Sequence, residues 1–569
     1  MRVRGGLRGR VSRTVAFAAA LGIAACTRRT AFDAGEPLSL AEPPAVTVTV
    51  SAPVTDSTPE TTTAGPCAQT PIPLPAPALR ASCDSTRSVE RVAILHVGDT
   101  HGHFHSYLSG NRSPYAVLRG LVERRRVETG GRVLFLDAGD ALEKGSIAEL
   151  RTHGDATLHL LDRLGLDART IGNHDFAWGL ESVVRQSQSK AQVVLGSNLH
   201  GDGLGFKRTA VFEVGCVRVG LFGLVTNPYD ETDERFDGPY LGTVAQDHDQ
   251  ADADRYIGLA TALSRELREE QKADVVIGLD HLGLARDRML VDAVPGIDLV
   301  ISAHDHVAIP GWVQGRYGVM VSTGAWLGGR GEARVGETTL EIDTKTKATK
   351  LVSATTLKLE EQRDLDSGLQ GEVDRVLACH APDADKPIAD LESPLGPWQI
   401  DTWTTVLDAA LRARFPQADA LFYEAWAWGG IVRGDLARGP VTPQGLADFA
   451  YSERQKVGGP GFTAFEEVVL DGAAMRDLCT GWLREPSAGQ RMHRVCPSEI
   501  KTESTYRLVI ERRPLHAPSL AFVTIPKSWP KPPLDESAAV EAMDVLIDYA
   551  KRRGAACKAL DRDAPAPCR

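Results

Sequence analysis

From Val89 onward, apolar runs of strand length alternate with stretches whose apolar residues recur at helical spacing. "VAILHVGD" is followed by the helical "PYAVLRGLVERRRVE", then "RVLFLDAGD", "ATLHLLDRLG", "ARTIGNHD" and "AQVVLGSN". The alternation resumes with "VRVGLFGLV", "ADRYIGLATALSRELREE", "ADVVIGLDHLG" and "IDLVISAHDHV". Continuous Val/Ile/Leu runs predict strands covered on both faces, and strands alternating with helices predict an α/β fold. "TTLEIDTKTKATKLVSATTLKL" predicts a hairpin that closes this body near residue 358. The pattern divides the chain into a first α/β body at 89–358, a helical linker at 359–388 and a smaller α/β body at 389–569. There is no internal repeat and no heptad run.

Residues 26–88 break the pattern. "AEPPAVTVTVSAPVTDSTPETTTAGP" has little that forms a core and predicts an extended, solvated tether. Residues 1–25 combine a basic start, "MRVRGGLRGRVSR", with a short apolar stretch, "TVAFAAALGIAA", which predicts an export signal. Small residues before Cys26 resemble a bacterial lipobox. That implies cleavage before Cys26, lipidation of its sulfur, and attachment to the periplasmic or cell-surface side of a membrane, the outer membrane being favoured.

The net charge of −11 becomes about −16 once the five arginines of residues 1–25 are set aside. So acidic a surface argues against binding a nucleic-acid backbone. Export permits disulfides. Nine cysteines leave eight after Cys26; Cys67/Cys83, Cys479/Cys496 and Cys557/Cys568 are close enough in sequence to be plausible pairs, and Cys216 reads as a packed free thiol in a buried strand.

Five apolar runs end in residues able to hold a metal. Asp99 and His101 follow the first and Asp140 the second; Asn173 and His174 follow the third; His281, then His304 and His306, follow two later ones. The carboxyl ends of the strands of an α/β sheet share one edge, where ligands bind. Any one histidine is compatible with simple packing, and His153, His159, His200 and His248 are read so. His96 is assigned to strand packing, and His103 and His105 to supporting or surface positions on the following loop. Eight metal-capable or titratable residues placed after strands are a site.

The order D-x-H, GD, GNH[DE], H, H-x-H resembles the calcineurin-like metallophosphoesterases, and within them the exported, two-domain 5′-nucleotidase and UDP-sugar hydrolase family. The resemblance implies a four-layer α/β/β/α catalytic domain followed by a smaller α/β substrate-binding domain. It further implies two divalent ions: Asp99, His101 and His306 on one, Asn173, His281 and His304 on the other, and Asp140 bridging. Such a pair acidifies water for in-line attack on phosphorus. With N and O donors alone, Zn, Mn, Fe and Co all suit the set. His174 takes a catalytic role, stabilising the transition state or protonating the leaving oxygen. The family's usual GNHEFD reads "GNHDFA" here, leaving Ala177 where an aspartate orients that histidine. Asp175, or a carboxylate from elsewhere, is the candidate replacement.

In the second body, "AWAWGGIVRGDLARGPVT" resembles the family's substrate-contacting stretch. Arg433 is the candidate phosphate or carboxylate contact, with Trp428 and Gly430 beside it. The functional expectation is an exported phosphoesterase acting on a small nucleotide-like phosphate ester. The alternatives are a 2′,3′-cyclic-nucleotide phosphodiesterase, a UDP-sugar hydrolase, a thiosulfohydrolase, or a non-catalytic, surface-anchored binding protein on the same scaffold.

Overall fold

The computed structural model describes residue 67 and residues 71–73, 78–105, 112–143, 145–199, 204–226, 250–324, 327–328, 332–391, 400–426, 438–450, 464–480, 490–511 and 540–554, all within one unit, Thr63–Arg569. The chain runs from β1 (Val89–Val97) through α1 (Pro114–Glu128) to β2 (Val133–Asp137), then through α2 (Ile147–Arg151) and α3 (Asp155–Leu164) to β3 (Ala168–Thr170). Next come α4 (Gly179–Ser187) and β4 (Val193–Leu195), and the hairpin of β5 (Thr209–Val214) and β6 (Val217–Phe222). α5 (Gln250–Arg265), β7 (Val275–Asp280), α6 (Leu284–Ala293) and β8 (Leu299–Ser302) follow. The body ends with β9 (Val313–Gln314), β10 (Val319–Val321), β11 (Leu327–Gly328) and the hairpin of β12 (Glu332–Asp343) and β13 (Thr349–Lys358).

These strands form two sheets. One runs β11-β12-β1-β2-β3-β4 with β13 on β12, and the other β5-β6-β7-β8-β10-β9. The β1–β4 steps and the β6-β7-β8-β10 steps are parallel. Strand parity explains how they stack, since alternate side chains point to opposite faces. Val92, Ile94, Leu134 and Leu136 share a core with Val275, Ile277, Leu279, Leu299 and Ile301, so this layer joins sheet to sheet. The intervening Ala93, Leu95, Val133 and Phe135 face α1 and α3. Val276 and Val300 face α5 and α6. The result is the expected helix–sheet–sheet–helix stack, and it explains why the strands read as uninterrupted apolar runs.

α7 (Glu361–Asp364) and α8 (Ser367–His380) lead to the second body. There β14 (Ala389–Leu391), α9 (Ile400–Arg414) and β15 (Ala420–Trp426) precede β16 (Gly439–Val441) and α10 (Pro443–Ala450). β17 (Ala464–Asp471), α11 (Gly472–Thr480), β18 (Gln490–Val495), β19 (Thr505–Glu511), β20 (Val540–Glu541) and α12 (Ala542–Gly554) complete it. The sheet β18-β15-β19-β17-β20 carries α9 and α12 on one face and α11 on the other. The linker and the second body both touch the first body beside the catalytic edge. Gln444 Oε1, from the second body, accepts the Ile147 N–H at 2.9 Å; from the linker, Asp383 pairs with Arg151 at 2.6 Å and Asp385 meets His105 at 3.0 Å.

Two cysteine assignments are corrected. Cys67 is bonded to Cys379 and Cys83 to Cys216, so Cys67 and Cys83 are not partners and Cys216 is not a free thiol. Cys216 sits in the turn between β5 and β6, and the segment before β1 docks beside it: Gly215 donates to Ala81 O, and Ala81 donates to Gly131 O. Residues 80–83 are thus part of the folded body, and nearness in space overrode nearness in sequence. Cys479–Cys496 is bonded as expected. Cys26, Cys557 and Cys568 lie outside the described residues. No helix among the described residues is long and apolar enough to cross a membrane.

Candidate metal centre

Each candidate ligand stands just past a strand end, and both sheets contribute. β1 delivers Asp99 and His101, β2 Asp140 and β3 Asn173, while β7 delivers His281 and β8 His304 and His306. The loops after β1 and β2 stay zipped: Asp99 donates to Gly139 O, His101 to Asp140 O and Gly102 to Ala141 O. The second sheet is tied in by the His304 N–H, 3.2 Å from Asp99 Oδ1.

Backbone strain is concentrated here. Asp99, His101, Asp140, His304 and His306 all have positive φ, from 47° to 92°. Non-glycine residues avoid this region, at a cost on the order of 1–3 kcal/mol each, and it persists where surroundings over-determine it. Two glycines allow the approach. A Cβ on Gly172 would lie 2.1 Å from Asp140 Oδ1, and one on Gly139 (φ +95°) would lie 2.8 Å from Gly172 N. The glycines of "GD" and "GNH" therefore let the β2 and β3 loops nest together.

The donor atoms fall into two groups that share Asp140. Asp99, His101, Asp140 and His306 place one ligand atom each within 4.8 Å of one another, and so do Asp140, His281 and His304. Asn173 joins the second, its Oδ1 2.8 Å from His304 Nδ1. The ring orientations fit ligation. His101 Nδ1 faces Leu142 O at 3.2 Å and His281 Nδ1 faces Ala138 O at 2.8 Å. A carbonyl only accepts, so each Nδ1 carries a hydrogen and each Nε2 is turned to the centre, the arrangement that backs metal-bound histidine. His101 Nε2 and His306 Nε2 lie 3.1 Å apart, a contact of two lone pairs unless a proton or cation intervenes.

Asp140 divides its two oxygens between tasks. Oδ1 accepts the His174 N–H at 2.8 Å. Oδ2 lies 3.0 Å from His281 Nε2, yet neither atom has a hydrogen-bond partner among the described residues, although both are buried. Two orphaned buried groups aimed at one point fit a shared cation. Burial alone would lower the His281 pKa, but the Asp140 and Asp99 carboxylates outweigh it and push it up to about 10. The pocket therefore favours positive charge, which a proton or a divalent ion supplies.

The family model for calcineurin-like phosphoesterases matches residues 92–308. Residues 92–308 are a calcineurin-like phosphoesterase domain. Protein 5NUC of Lutzomyia longipalpis is 26% identical over 251 residues, covering 40% of this chain and 41% of that protein. The 5′-nucleotidase of Vibrio cholerae is 25% identical over 214 residues, covering 37% of this chain and 36% of its own length. The chain thus spans about two fifths of the length of the curated relatives it matches. A 5′-nucleotidase precursor from Thermus thermophilus has the same fold over 82% of this chain and 97% of its own, with a TM-score of 0.56 at 19% identity. That likeness extends through the second body.

Around the phosphoesterase centre, the other expected residues fall as follows. His174 stands in the 3₁₀ turn Asn173–Phe176, its Nε2 3.9 Å from Asp140 Oδ2. Asp175 does not face that ring. Its buried oxygens accept the backbone N–H groups of Asp140, Leu142 and Gly172 at 2.7–3.1 Å, bracing the loops. The carboxylate against His174 is Glu143, 2.5 Å from Nδ1, a residue the motif reading passed over. His96 is buried against Thr338, and His103 and His105 are buried too, so neither is a surface residue. Trp428, Gly430 and Arg433 lie outside the described residues.

Proposed function

We propose that this chain is an exported, metal-dependent phosphoric ester hydrolase acting on a nucleotide-like phosphate ester. The observation that carries the reading is Asp140, one buried carboxylate shared by two separate sets of N and O donors. Two divalent ions, held by Asp99, His101 and His306 on one side and Asn173, His281 and His304 on the other, would supply Lewis-acid charge and an acidified water. Zn, Mn, Fe and Co all fit these donors. His174, with Nε2 turned toward the ligand cluster, protonates the leaving oxygen. Arg433, with Trp428 and Gly430 beside it, binds the substrate from the second body, and Cys26 carries the lipid that anchors the exported protein. The relatives named as 5′-nucleotidases support the substrate class.

The test is metal content together with a substrate panel of AMP, a 2′,3′-cyclic nucleotide, UDP-glucose and a bis-aryl phosphodiester. The wild-type protein is expected to hold two divalent ions and to hydrolyse AMP best. Asp140→Ala should lose bound metal and reduce turnover by at least about 10³-fold. Full activity in that variant, or a wild-type protein that takes up no divalent ion, overturns the reading.

A further inference from the structure

His174 is gripped at one ring nitrogen. Its Nδ1 lies 2.5 Å from Glu143 Oε2, while Nε2 is turned toward the ligand cluster and the ring stands edge-on to His101, centroids 4.8 Å apart. Glu143 is wholly buried and His174 nearly so. This carboxylate comes from the β2 loop and not from the turn that carries His174. Just past that turn, Ala177 packs its methyl in an apolar cluster with Leu142 and Trp178, so a carboxylate at that position would be buried among hydrocarbon.

The loop around Glu143 is built to hold it. Glu143 has φ +70°, a conformation a glutamate adopts only when its surroundings impose it. Its own N–H donates to Glu149 Oε1 at 2.5 Å, and Glu149 Oε2 accepts the Thr157 hydroxyl at 2.6 Å, which fixes Glu149 to α3. The preceding Leu142 N–H donates to Asp175 Oδ1 at 3.1 Å. Two buried carboxylates thus hold the two successive backbone N–H groups that lead into the glutamate facing His174.

We propose that Glu143 is the positioning residue of His174, holding the ring so that Nε2 faces the leaving oxygen of the substrate. The inference rests on the hydrolase reading above. In the step it serves, a water oxygen forms a bond to phosphorus and gives up a proton to solvent, while the P–O bond to the leaving group breaks with its electron pair on the leaving oxygen. That oxygen takes the proton from His174 Nε2, and the ring keeps its Nδ1 hydrogen on Glu143.

A proton donor matters most when the leaving group is basic. Glu143→Gln and His174→Ala should each lower kcat for AMP on the order of 10²-fold, with KM little changed. With 4-nitrophenyl phosphate, whose leaving group needs no proton, the loss should stay within about threefold. The double variant should be no worse than His174→Ala alone, because the two residues act as one unit. A general packing defect in Glu143→Gln would instead slow both substrates alike and add to the loss in the double variant, and either result overturns the proposal. A second readout needs no turnover. The Nδ1–H held on Glu143 should give a far-downfield proton resonance that vanishes in both single variants, and its survival in Glu143→Gln refutes the contact. Should the wild-type protein hydrolyse neither ester, the hydrolase reading fails while the resonance still decides on Glu143.

Discussion

Gly172 shows how little freedom a single residue has at this centre. Its missing side chain leaves room for Asp140 Oδ1, which must come close enough to accept the His174 N–H. Gly172→Ala puts a Cβ 2.1 Å from that oxygen, so the carboxylate or the β3 loop has to shift. Displacements near 1 Å at reacting groups cost about 10²-fold in rate. Gly172→Ala is therefore expected to bind fewer than two metal ions per chain and to lose about 10²-fold in kcat, read by elemental analysis and turnover on AMP. Unchanged metal content would show that Asp140 does not depend on this close approach.

Among the elements, the pairing of β1 with β12 contains a buried titratable group. His96 faces Gly336 and Thr338 across the strand pair, and a Cβ on Gly336 would fall 2.1 Å from the imidazole. Burial lowers the His96 pKa from 6.5 to about 4. Below pH 6.5 the unfolded chain takes up a proton that the folded chain refuses until about pH 4. This group therefore withdraws about 3 kcal/mol of stability as pH falls through that window and restores it as pH rises. Denaturant unfolding of wild type and His96→Gln, compared from pH 4 to 7, should give a difference curve that rises with pH by that amount. A flat difference curve would place the imidazole in contact with water.

For the whole molecule, the described residues all lie in one compact unit, Thr63–Arg569. The body is stapled by disulfides that span 312 and 133 residues, and its first part is met beside the catalytic edge by Gln444 of the second part and by Asp383 and Asp385 of the linker. The sequence before it is Pro- and Thr-rich, and we propose that it tethers the body to a lipid anchor. If Cys26 is that anchor, metabolic labelling with a fatty acid should mark the wild-type protein and leave Cys26→Ala unmarked and released from membranes. Labelling that survives the substitution would move the anchor elsewhere.

The candidate ligand positions were legible in the chain because each is tied to the end of an apolar strand, and an α/β sheet sends all such ends to one edge. Strand runs, helical periodicity and motif order thus determined the layered fold and the candidate set from Asp99 to His306 that the structure brings together. Contacts between segments far apart in the chain were decided only by the tertiary structure. Cys83 found Cys216 because the segment before β1 docks against the β5–β6 turn, and Glu143 found His174 because the β2 loop bends back through a left-handed residue. Neither leaves a periodic trace, since a loop's path follows from what it packs against. Asp175, adjacent to His174 in sequence, turned its carboxylate to three backbone N–H groups, and a residue thirty-one positions earlier faces the imidazole.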